Sequence, residues 1–224
     1  MTLLSVHGLV AGYAGARIVN DLDLVIMPGE VVALLGRNGA GKSTAVSAIT
    51  GTLKSMAGTV VIGDINVTKT QPSQRFQLGM RTVRQDQPIL RDLTVAENLR
   101  LVESSKEVAA ESFPFLAERS AQRAGTLSGG EQKMLAVART AANPGKLWIL
   151  DEPSEGLQPM NVNRCAQLIK EAASRGVGVL LVEQHIGMAL EVADRWIVME
   201  TGVVIDQGEV TANTFETVSR RLAV

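Results

Sequence analysis

A glycine-rich segment at residues 36–43 of this sequence reads GRNGAGKS. A run of β-branched and aliphatic residues, Glu30–Leu35, precedes it, and a helical pattern over Lys42–Thr50 follows it. In this setting glycines let backbone N–H groups surround phosphate oxygens, and the helix N-terminus adds the positive end of its dipole. The segment predicts a phosphate-binding loop, in preference to a glycine-rich turn that happens to precede Lys-Ser.

The phosphate-binding loop assigns separate roles to two side chains. Lys42 is expected to reach the β- and γ-phosphates of a nucleotide, and the Ser43 hydroxyl to complete the coordination shell of Mg²⁺. The residues of the loop and helix start that we expect to bind the nucleotide are Gly36, Arg37, Asn38, Gly39, Ala40, Gly41, Lys42, Ser43 and Thr44.

Two adjacent carboxylates, Asp151 and Glu152, end the apolar run Leu147–Leu150. In a parallel sheet the carboxyl end of a strand is where ligands bind, so Asp151 is placed to hold Mg²⁺ through water. Glu152 is then suited to polarise an attacking water molecule. An acidic pair that merely caps a strand at the surface is the competing interpretation of this feature taken alone.

One of the two histidines, His185, follows the buried run Val177–Glu183. The same end-of-strand argument brings Gln184 and His185 to the ligand edge, where an imidazole can donate a hydrogen bond to a γ-phosphate oxygen. An exposed histidine at a helix start is the plainer alternative. The other histidine, His7, has no such setting and is interpreted in that plainer way.

A second glycine-rich helix start lies at residues 127–132, LSGGEQ. Ser128 and Glu131 have the spacing of a capping box, so a purely structural helix start is a real competitor. The two adjacent glycines favour an anion site, because bare backbone N–H groups can meet an anion there. The candidate binding residues of this segment are Ser128, Gly129, Gly130, Glu131 and Gln132.

The composition excludes several classes of protein. Of 224 residues, 46% are hydrophobic and 20% are charged, so the chain can bury a core and is not intrinsically disordered. A net charge of −1 gives no support to a nucleic-acid binder that relies on a positive field. The one cysteine, Cys165, cannot form an intrachain disulfide, and no apolar run approaches the roughly 20 residues of a membrane span. We expect a soluble protein in a reducing, cytosolic compartment.

Short apolar runs alternate with helical patterns, which predicts an α/β fold with a mostly parallel sheet. Near the N-terminus, Leu3–Val10 and Asp21–Met27 alternate polar and apolar residues and predict an antiparallel β layer. A helix is predicted over Val162–Arg175 from its apolar spacing. Arg195–Glu200 and Val203–Asp206 flank Thr-Gly and predict a hairpin.

Residues 86–126 differ from the rest of the chain in being more polar. A capping box at Thr94–Glu97 precedes a helical pattern there, which predicts a small helical lobe inserted in the core. The chain is thus expected to form a single domain over residues 1–224, with its α/β core at 1–85 and 127–224.

Together these motifs resemble an ATP-binding cassette, the nucleotide-binding subunit of membrane transporters. The resemblance covers nearly the whole chain and is carried by GRNGAGKST at 36–44, LSGGEQ at 127–132 and LDEP at 150–153. It implies a P-loop NTPase core of mostly parallel sheet, an N-terminal antiparallel β layer and the inserted helical lobe. It also implies ATP and Mg²⁺ as cofactors.

Two further residues acquire roles from this resemblance. Tyr13 falls where the family stacks an aromatic ring on adenine, the alternative being an ordinary strand aromatic. Gln85, after the apolar run Met80–Val83, matches the glutamine that touches Mg²⁺ and the attacking water and reports the nucleotide state to the permease. The implied catalytic residues are Glu152, His185 and Gln85, and the implied metal contacts are Ser43, Gln85 and Asp151.

A narrower resemblance is to the branched-chain amino-acid transporter subgroup and its urea or amide relatives. It rests on QRAGTLSGGEQKMLAVAR at 122–139, EPSEGLQP at 152–159 and LVEQH at 181–185. The loop after Glu152 lacks the Ser-Ala-Leu-Asp common in the family, so contacts made across a dimer by that Asp cannot be transferred to this chain. In addition, Arg84 stands where a proline is common, and the helical lobe is shorter than usual for the subgroup.

The resemblance implies an ATPase that powers a membrane transporter, with uptake of branched-chain amino acids or a related small solute such as urea or an amide. The implied partners are a second cassette subunit in a homodimer or heterodimer, integral-membrane permease subunits and, indirectly, an extracytoplasmic solute-binding protein. The implied location is cytoplasmic, peripheral on the inner face of the cell membrane through the permease.

Two other functional classes compete with transport. A soluble cassette ATPase that acts on nucleic acid or ribosomes more often carries two cassettes or added basic segments, so the single cassette and the net charge of −1 disfavour that class. A GTP switch is disfavoured because no Asn-Lys-x-Asp guanine-reading motif occurs. We therefore expect a transport ATPase with no nucleic-acid partner.

Overall fold

The computed structural model describes residues 1–85, 89–102, 111–143 and 145–222. Within these ranges the strands are β1 (Leu4–Tyr13), β2 (Ala16–Ile26), β3 (Val31–Leu35), β4 (Ala57–Ile62), β5 (Ile65–Asn66), β6 (Met80–Val83), β7 (Leu147–Asp151), β8 (Gly178–Glu183), β9 (Arg195–Glu200) and β10 (Val203–Glu209). The α-helices are α1 (Lys42–Thr50), α2 (Pro72–Gln77), α3 (Val95–Arg100), α4 (Phe115–Glu118), α5 (Gly129–Ala141), α6 (Pro159–Ser174), α7 (Ile186–Val192) and α8 (Thr214–Leu222).

The described strands form two sheets. The first has four antiparallel strands in the order β2-β1-β4-β5. The second has six strands in the order β10-β9-β3-β8-β7-β6, parallel throughout except for the terminal β9–β10 hairpin. This arrangement confirms the predicted α/β fold with a mostly parallel sheet, an N-terminal antiparallel layer and a hairpin near the C-terminus.

The alternation of side chains along the six-stranded sheet divides the core into two apolar clusters. Val32 and Leu34 of β3 belong to the cluster that contains α1 and the four-stranded sheet. Ala33 and Leu35 belong to the cluster that contains α5, α6 and α7. Because neighbouring residues of a strand face opposite sides, α1 lies on one face of the sheet and α5 on the other.

The carboxyl ends of four neighbouring parallel strands meet at one edge of this sheet. The phosphate-binding loop follows β3, Gln85 follows β6, Glu152 follows β7, and Gln184 and His185 follow β8. This edge is where ligands bind in open α/β sheets. The topology therefore brings segments from distant parts of the sequence to one place.

Helix α1 has the bounds predicted from the sequence, because Gly41 and Gly51 flank it in left-handed conformations. Helix α6 begins at Pro159, three residues before the predicted start at Val162. Proline is well suited to the first helical turn, where its missing N–H costs no intrahelical bond. No helix in the described part of the chain is long and apolar enough to cross a bilayer.

The described part of the predicted lobe contains α3, α4 and a short 3₁₀ turn at Ala124–Thr126. The predicted capping box is present, since Thr94 Oγ accepts a hydrogen bond from Glu97 N–H and Glu97 Oε2 accepts one from Thr94 N–H. Apolar side chains of the lobe, such as Leu99 and Leu116, pack in the same cluster as α5. Residues 86–88 and 103–110 of the predicted lobe lie outside the described residues, and its boundaries stay a prediction.

Candidate active site

The phosphate-binding loop has the backbone shape that its sequence predicts. Gly39 and Gly41 have φ angles of +82° and +101°, values that a residue with a side chain rarely adopts. A Cβ atom on Gly36 would lie 2.5 Å from the carbonyl oxygen of Met199, so that position also requires glycine. Gly41 caps α1 without a side-chain hydrogen bond, which leaves the first N–H groups of the helix open toward an anion.

The Lys42 ammonium lies across the loop and is buried, with 5% of the residue exposed. Its Nζ donates to the carbonyl oxygens of Gly36 at 2.7 Å and Arg37 at 3.1 Å. Burial lowers the pKa of Lys42, and the carboxylates of Glu152, Asp151 and Glu183 oppose that shift. A compact cation with three N–H donors is thus held beside the open helix end, as phosphate binding requires.

The Glu152 carboxylate is fixed by two glutamine amides. Gln85 Nε2 donates to Glu152 Oε2 at 2.8 Å, and Gln184 Nε2 donates to Glu152 Oε1 at 2.5 Å. Glu152 is only 3% exposed, so its side chain is held in one place at the ligand edge. The structure therefore brings together Glu152 and Gln184, which the end-of-strand argument places at one edge, and Gln85, which the family resemblance places there.

Gln184 is a site residue whose contact the sequence analysis missed. The strand pattern predicts its position at the ligand edge but not the contact of its side chain. The signal available was its place between the buried strand and His185. Its side-chain amide is thereby within reach of Glu152, the residue that follows the neighbouring strand, β7.

Glu183 is a second residue that the sequence analysis did not assign. It is 1% exposed, its Oε1 accepts a hydrogen bond from Ser154 N–H at 2.9 Å, and its Oε2 accepts one from Gln184 N–H. Burial raises the pKa of Glu183, and its hydrogen bonds to Ser154, Gln184 and His185 oppose that shift. The buried carboxylate therefore links the loop that follows β7 to the loop that follows β8.

His185 lies at the start of α7 with its side chain exposed at the ligand edge. We expect His185→Ala to lower ATP affinity about tenfold and to leave ADP affinity unchanged, because only ATP presents a γ-phosphate to the imidazole. Nucleotide titrations monitored by calorimetry measure both affinities. His7→Ala is the matched control, since His7 is the other histidine and is exposed on β1. An equal loss for ATP and ADP would count against the γ-phosphate role.

Three oxygen-bearing side chains are candidates for a metal ion beside the phosphates. Ser43 is exposed in the first turn of α1, Asp151 is 5% exposed at the end of β7, and Gln85 follows β6. The described residues contain no group of three or more His, Cys, Asp or Glu that could hold a metal ion. The donor set suits a hard cation that shares its coordination with phosphate oxygens.

At the second glycine-rich helix start the structure shows the capping box, and the anion site stays a prediction. The capping box forms, since Ser128 Oγ accepts from Glu131 N–H at 3.3 Å and Glu131 Oε2 accepts from Ser128 N–H at 2.9 Å. Ser128 and Gly129 are nevertheless exposed, and a Cβ atom on Gly129 would meet nothing within 4 Å. The side chains of Glu131 and Gln132 are engaged within the chain, with Arg119 and with the Leu127 carbonyl.

Tyr13 ends β1 at the tip of the β1–β2 hairpin and is 54% exposed. On the neighbouring strand, the Ile18 carbonyl oxygen lies 3.3 Å from where a Cβ atom on Gly41 would stand. The hairpin that carries Tyr13 therefore adjoins the phosphate-binding loop. An exposed ring in this position is available to stack on a flat heterocycle.

Comparisons with known proteins agree with this geometry. A family model described as ABC transporter matches residues 19–155. The high-affinity branched-chain amino acid transport ATP-binding protein BraG of Pseudomonas aeruginosa is 34% identical over 212 residues, which are 91% of each chain. The lipopolysaccharide export system ATP-binding protein LptB of Escherichia coli K12 is 33% identical over 223 residues, which are 94% of this chain and 92% of LptB.

Solved structures show the same fold. The structure of an ATP binding subunit of an ABC transporter superposes with a TM-score of 0.82 at 25% identity, and covers 98% of this chain and 92% of its own. A dimeric post-hydrolysis ATP-binding cassette bound to ADP and Pi superposes with a TM-score of 0.83 at 23% identity, over 94% of this chain and all of the other.

Proposed function

This chain belongs to the ABC transporter family as an ATP-hydrolysing subunit, and we propose that it drives uptake of branched-chain amino acids or a related small solute such as urea or an amide. The observation that carries the proposal is the similarity to BraG over 91% of both chains. It is supported by the segment EPSEGLQP at 152–159, which resembles that subgroup.

Export of a lipopolysaccharide is the second candidate function. LptB of E. coli is nearly as similar, at 33% identity over 94% of this chain. The ATP site does not discriminate between the two functions, because the solute is chosen by the membrane subunits and not by the nucleotide-binding edge. The partner that this chain binds therefore decides between uptake and export.

At the proposed ATP site, residues 36–44 hold the phosphates and Tyr13 stacks on the adenine. We assign the metal contacts to Ser43, Gln85 and Asp151, and Mg²⁺ neutralises charge on the β- and γ-phosphates when bound. Because Gln85 donates its amide N–H to Glu152, its amide oxygen is left to face the metal.

Hydrolysis requires a water molecule aligned with the γ-phosphate. We assign its orientation to Glu152, whose carboxylate is held by Gln85 and Gln184 and is thereby prevented from rotating away. His185 contacts a γ-phosphate oxygen, which makes the site sensitive to whether ATP or ADP is bound. In this assignment Glu152 positions the attacking water and His185 contacts the γ-phosphate.

The proposed partners follow from the same assignment. The chain pairs with a second cassette subunit, identical or related, and both attach to integral-membrane permease subunits. If the transporter is an importer, an extracytoplasmic solute-binding protein acts on the permease from the outer side of the membrane. The chain is then cytoplasmic and peripheral to the inner face of the membrane, and it needs no nucleic acid.

Affinity purification of the tagged chain from detergent-solubilised membranes tests the proposed function. We expect permease subunits to co-purify. In proteoliposomes, we expect ATP hydrolysis by the complex to rise when a solute-binding protein loaded with leucine is present on the side of the membrane opposite to the cassette subunits. Complexes carrying Glu152→Gln are the control for contaminating ATPases. Co-purification with a lipopolysaccharide-export permease would replace uptake by export, and stimulation by RNA alone would overturn both.

A further inference from the structure

The backbone of Glu152 is held in an unusual conformation. Its φ angle is +51°, in the left-handed region that residues with a side chain rarely adopt. Pro153 follows directly and restricts the preceding residue further. A conformation of this kind persists only where the surrounding structure fixes it, so the contacts of the Glu152 backbone set the point from which its carboxylate reaches Gln85 and Gln184.

Two elements hold this backbone from opposite sides. The Glu152 N–H donates to the Val182 carbonyl oxygen of β8 at 2.9 Å, which continues the parallel sheet. The Glu152 carbonyl oxygen accepts a hydrogen bond from Lys133 Nζ of α5 at 3.1 Å and one from Glu155 N–H at 3.3 Å. Lys133 is therefore the side chain through which α5 reaches the main chain of Glu152.

The same lysine is also linked to the Glu152 carboxylate through two intervening side chains. Lys133 Nζ pairs with Glu155 Oε2 at 2.6 Å, and this Glu155 oxygen accepts a second hydrogen bond from Gln85 Nε2 at 3.3 Å. Gln85 in turn donates to the Glu152 carboxylate at 2.8 Å. The four residues form a closed ring, in which Lys133 contacts the Glu152 backbone directly and its carboxylate only indirectly, through Glu155 and Gln85.

Burial makes Lys133 the fixed member of this ring. Its side chain is 10% exposed, whereas that of Glu155 is 53% exposed. A buried ammonium without its partners would be costly, so Lys133 keeps its two acceptors. The hydrogen bond from Lys133 is also the main cause that lowers the pKa of Glu155.

Lys133 stands five positions after Ser128, on the helix that begins at the second glycine-rich segment. The first turn of that helix packs closely on the loop after Glu152, because a Cβ atom on Gly130 would lie 2.8 Å from the Gly156 carbonyl oxygen. A shift of the α5 N-terminus is therefore transmitted to Glu152 through two contacts on one rigid helix.

We propose that Lys133 is a positioning residue for ATP hydrolysis, which holds Glu152 in its left-handed conformation and ties its carboxylate to the position of α5. This inference rests on the proposed function in one respect: Glu152 is taken as the group that orients the attacking water. Lys133 itself touches neither the nucleotide nor the water in this assignment.

The test is the variant Lys133→Met, which keeps an unbranched side chain and removes the ammonium. We expect kcat to fall about 10- to 100-fold and the KM for ATP to stay within about twofold, because the water-orienting group is displaced while the phosphate-binding loop is intact. Lys133→Arg keeps a charged donor and is expected to recover most of the lost kcat.

The control variant is Lys170→Met, which removes the Lys170–Glu191 pair of 3.0 Å on the surface of α6 and α7 and should leave kcat unchanged. If Lys133→Met does not fold, Glu155→Ala replaces it, since Glu155 is half exposed and its loss opens the same ring. A kcat within about twofold of wild type, or an Arg variant no better than Met, overturns the proposal.

The Glu152→Gln background separates this inference from the proposed function. If Lys133 acts through Glu152, adding Lys133→Met to Glu152→Gln leaves the residual rate unchanged within about twofold. A further loss in the double variant overturns the positioning role. If Glu152→Gln alone retains full hydrolysis, the catalytic assignment of Glu152 fails instead, whatever Lys133→Met does.

Discussion

Glu152→Gln is expected to lower the turnover number for ATP by about 10²- to 10⁴-fold while ATP remains bound. The amide keeps the size of the carboxylate but removes the base that orients water. In this structure both carboxylate oxygens accept hydrogen bonds from amide N–H groups of Gln85 and Gln184. A glutamine offers one acceptor oxygen and one NH₂ group, so one of these two bonds is lost as well.

Phosphate release under saturating ATP measures the turnover number, and titration with a fluorescent ATP analogue measures binding. Glu191→Gln is the matched control, because Glu191 is a half-exposed carboxylate paired with Lys170 on the helical surface. It should leave both quantities unchanged. Hydrolysis by Glu152→Gln within about threefold of wild type would remove Glu152 from its proposed role.

The fold could be predicted where local chemistry and periodicity agree. Helix α1 follows a buried strand and lies between two glycines that adopt left-handed conformations, so both of its ends can be predicted from the sequence. The start of α5 is equally clear, because the spacing of Ser128 and Glu131 predicts the capping box that the structure contains. The same spacing does not tell whether the adjacent glycines are open to a ligand. Helix α6 starts three residues before the apolar spacing predicts, because Pro159 occupies its first turn, where a missing N–H costs no intrahelical bond.

The candidate site could be predicted as a set of strand ends but not as a network of contacts. The phosphate-binding loop, Glu152 and His185 lie at one edge because parallel strands share a carboxyl edge, whereas Gln85 is predicted only from the family resemblance. The left-handed backbone of Glu152 and the reach of Lys133 depend on how α5 packs against β6 and the loop after β7. No local pattern in a sequence records such long-range packing.

The same packing bears on how two chains assemble. Strand β3 leads to the phosphate-binding loop, while α5 contacts β6, and two other strands separate β3 from β6 in the sheet. At ordinary strand spacing this is about 14 Å across the sheet. In addition, α1 and α5 lie on opposite faces. The open N-terminus of α5 is therefore poorly placed to grip the γ-phosphate that its own chain holds.

A twofold dimer removes this difficulty, because each Ser128 segment can then close on the nucleotide of the partner chain. A symmetric arrangement of this kind makes two equal composite sites, with ATP as part of the interface. Hydrolysis would then release the two halves, since ADP lacks the phosphate that joins them. The exposed Ser128 and Gly129 are available for such a contact.

We expect the Glu152→Gln protein to dimerise with ATP and to remain monomeric with ADP, and the added change Ser128→Arg to prevent dimerisation. Arginine places bulk and charge at the closing surface, where Gly129 otherwise leaves open space. Sedimentation velocity at several protein concentrations measures the two states. Ser128→Ala separates bulk from the lost helix cap, which costs about 1 kcal/mol of stability, and it should still permit the ATP dimer. If the protein with both Glu152→Gln and Ser128→Arg dimerises with ATP, the composite site is contradicted. If Glu152→Gln alone dimerises only weakly, the measurement is repeated on the permease-bound pair, where the local concentration is higher.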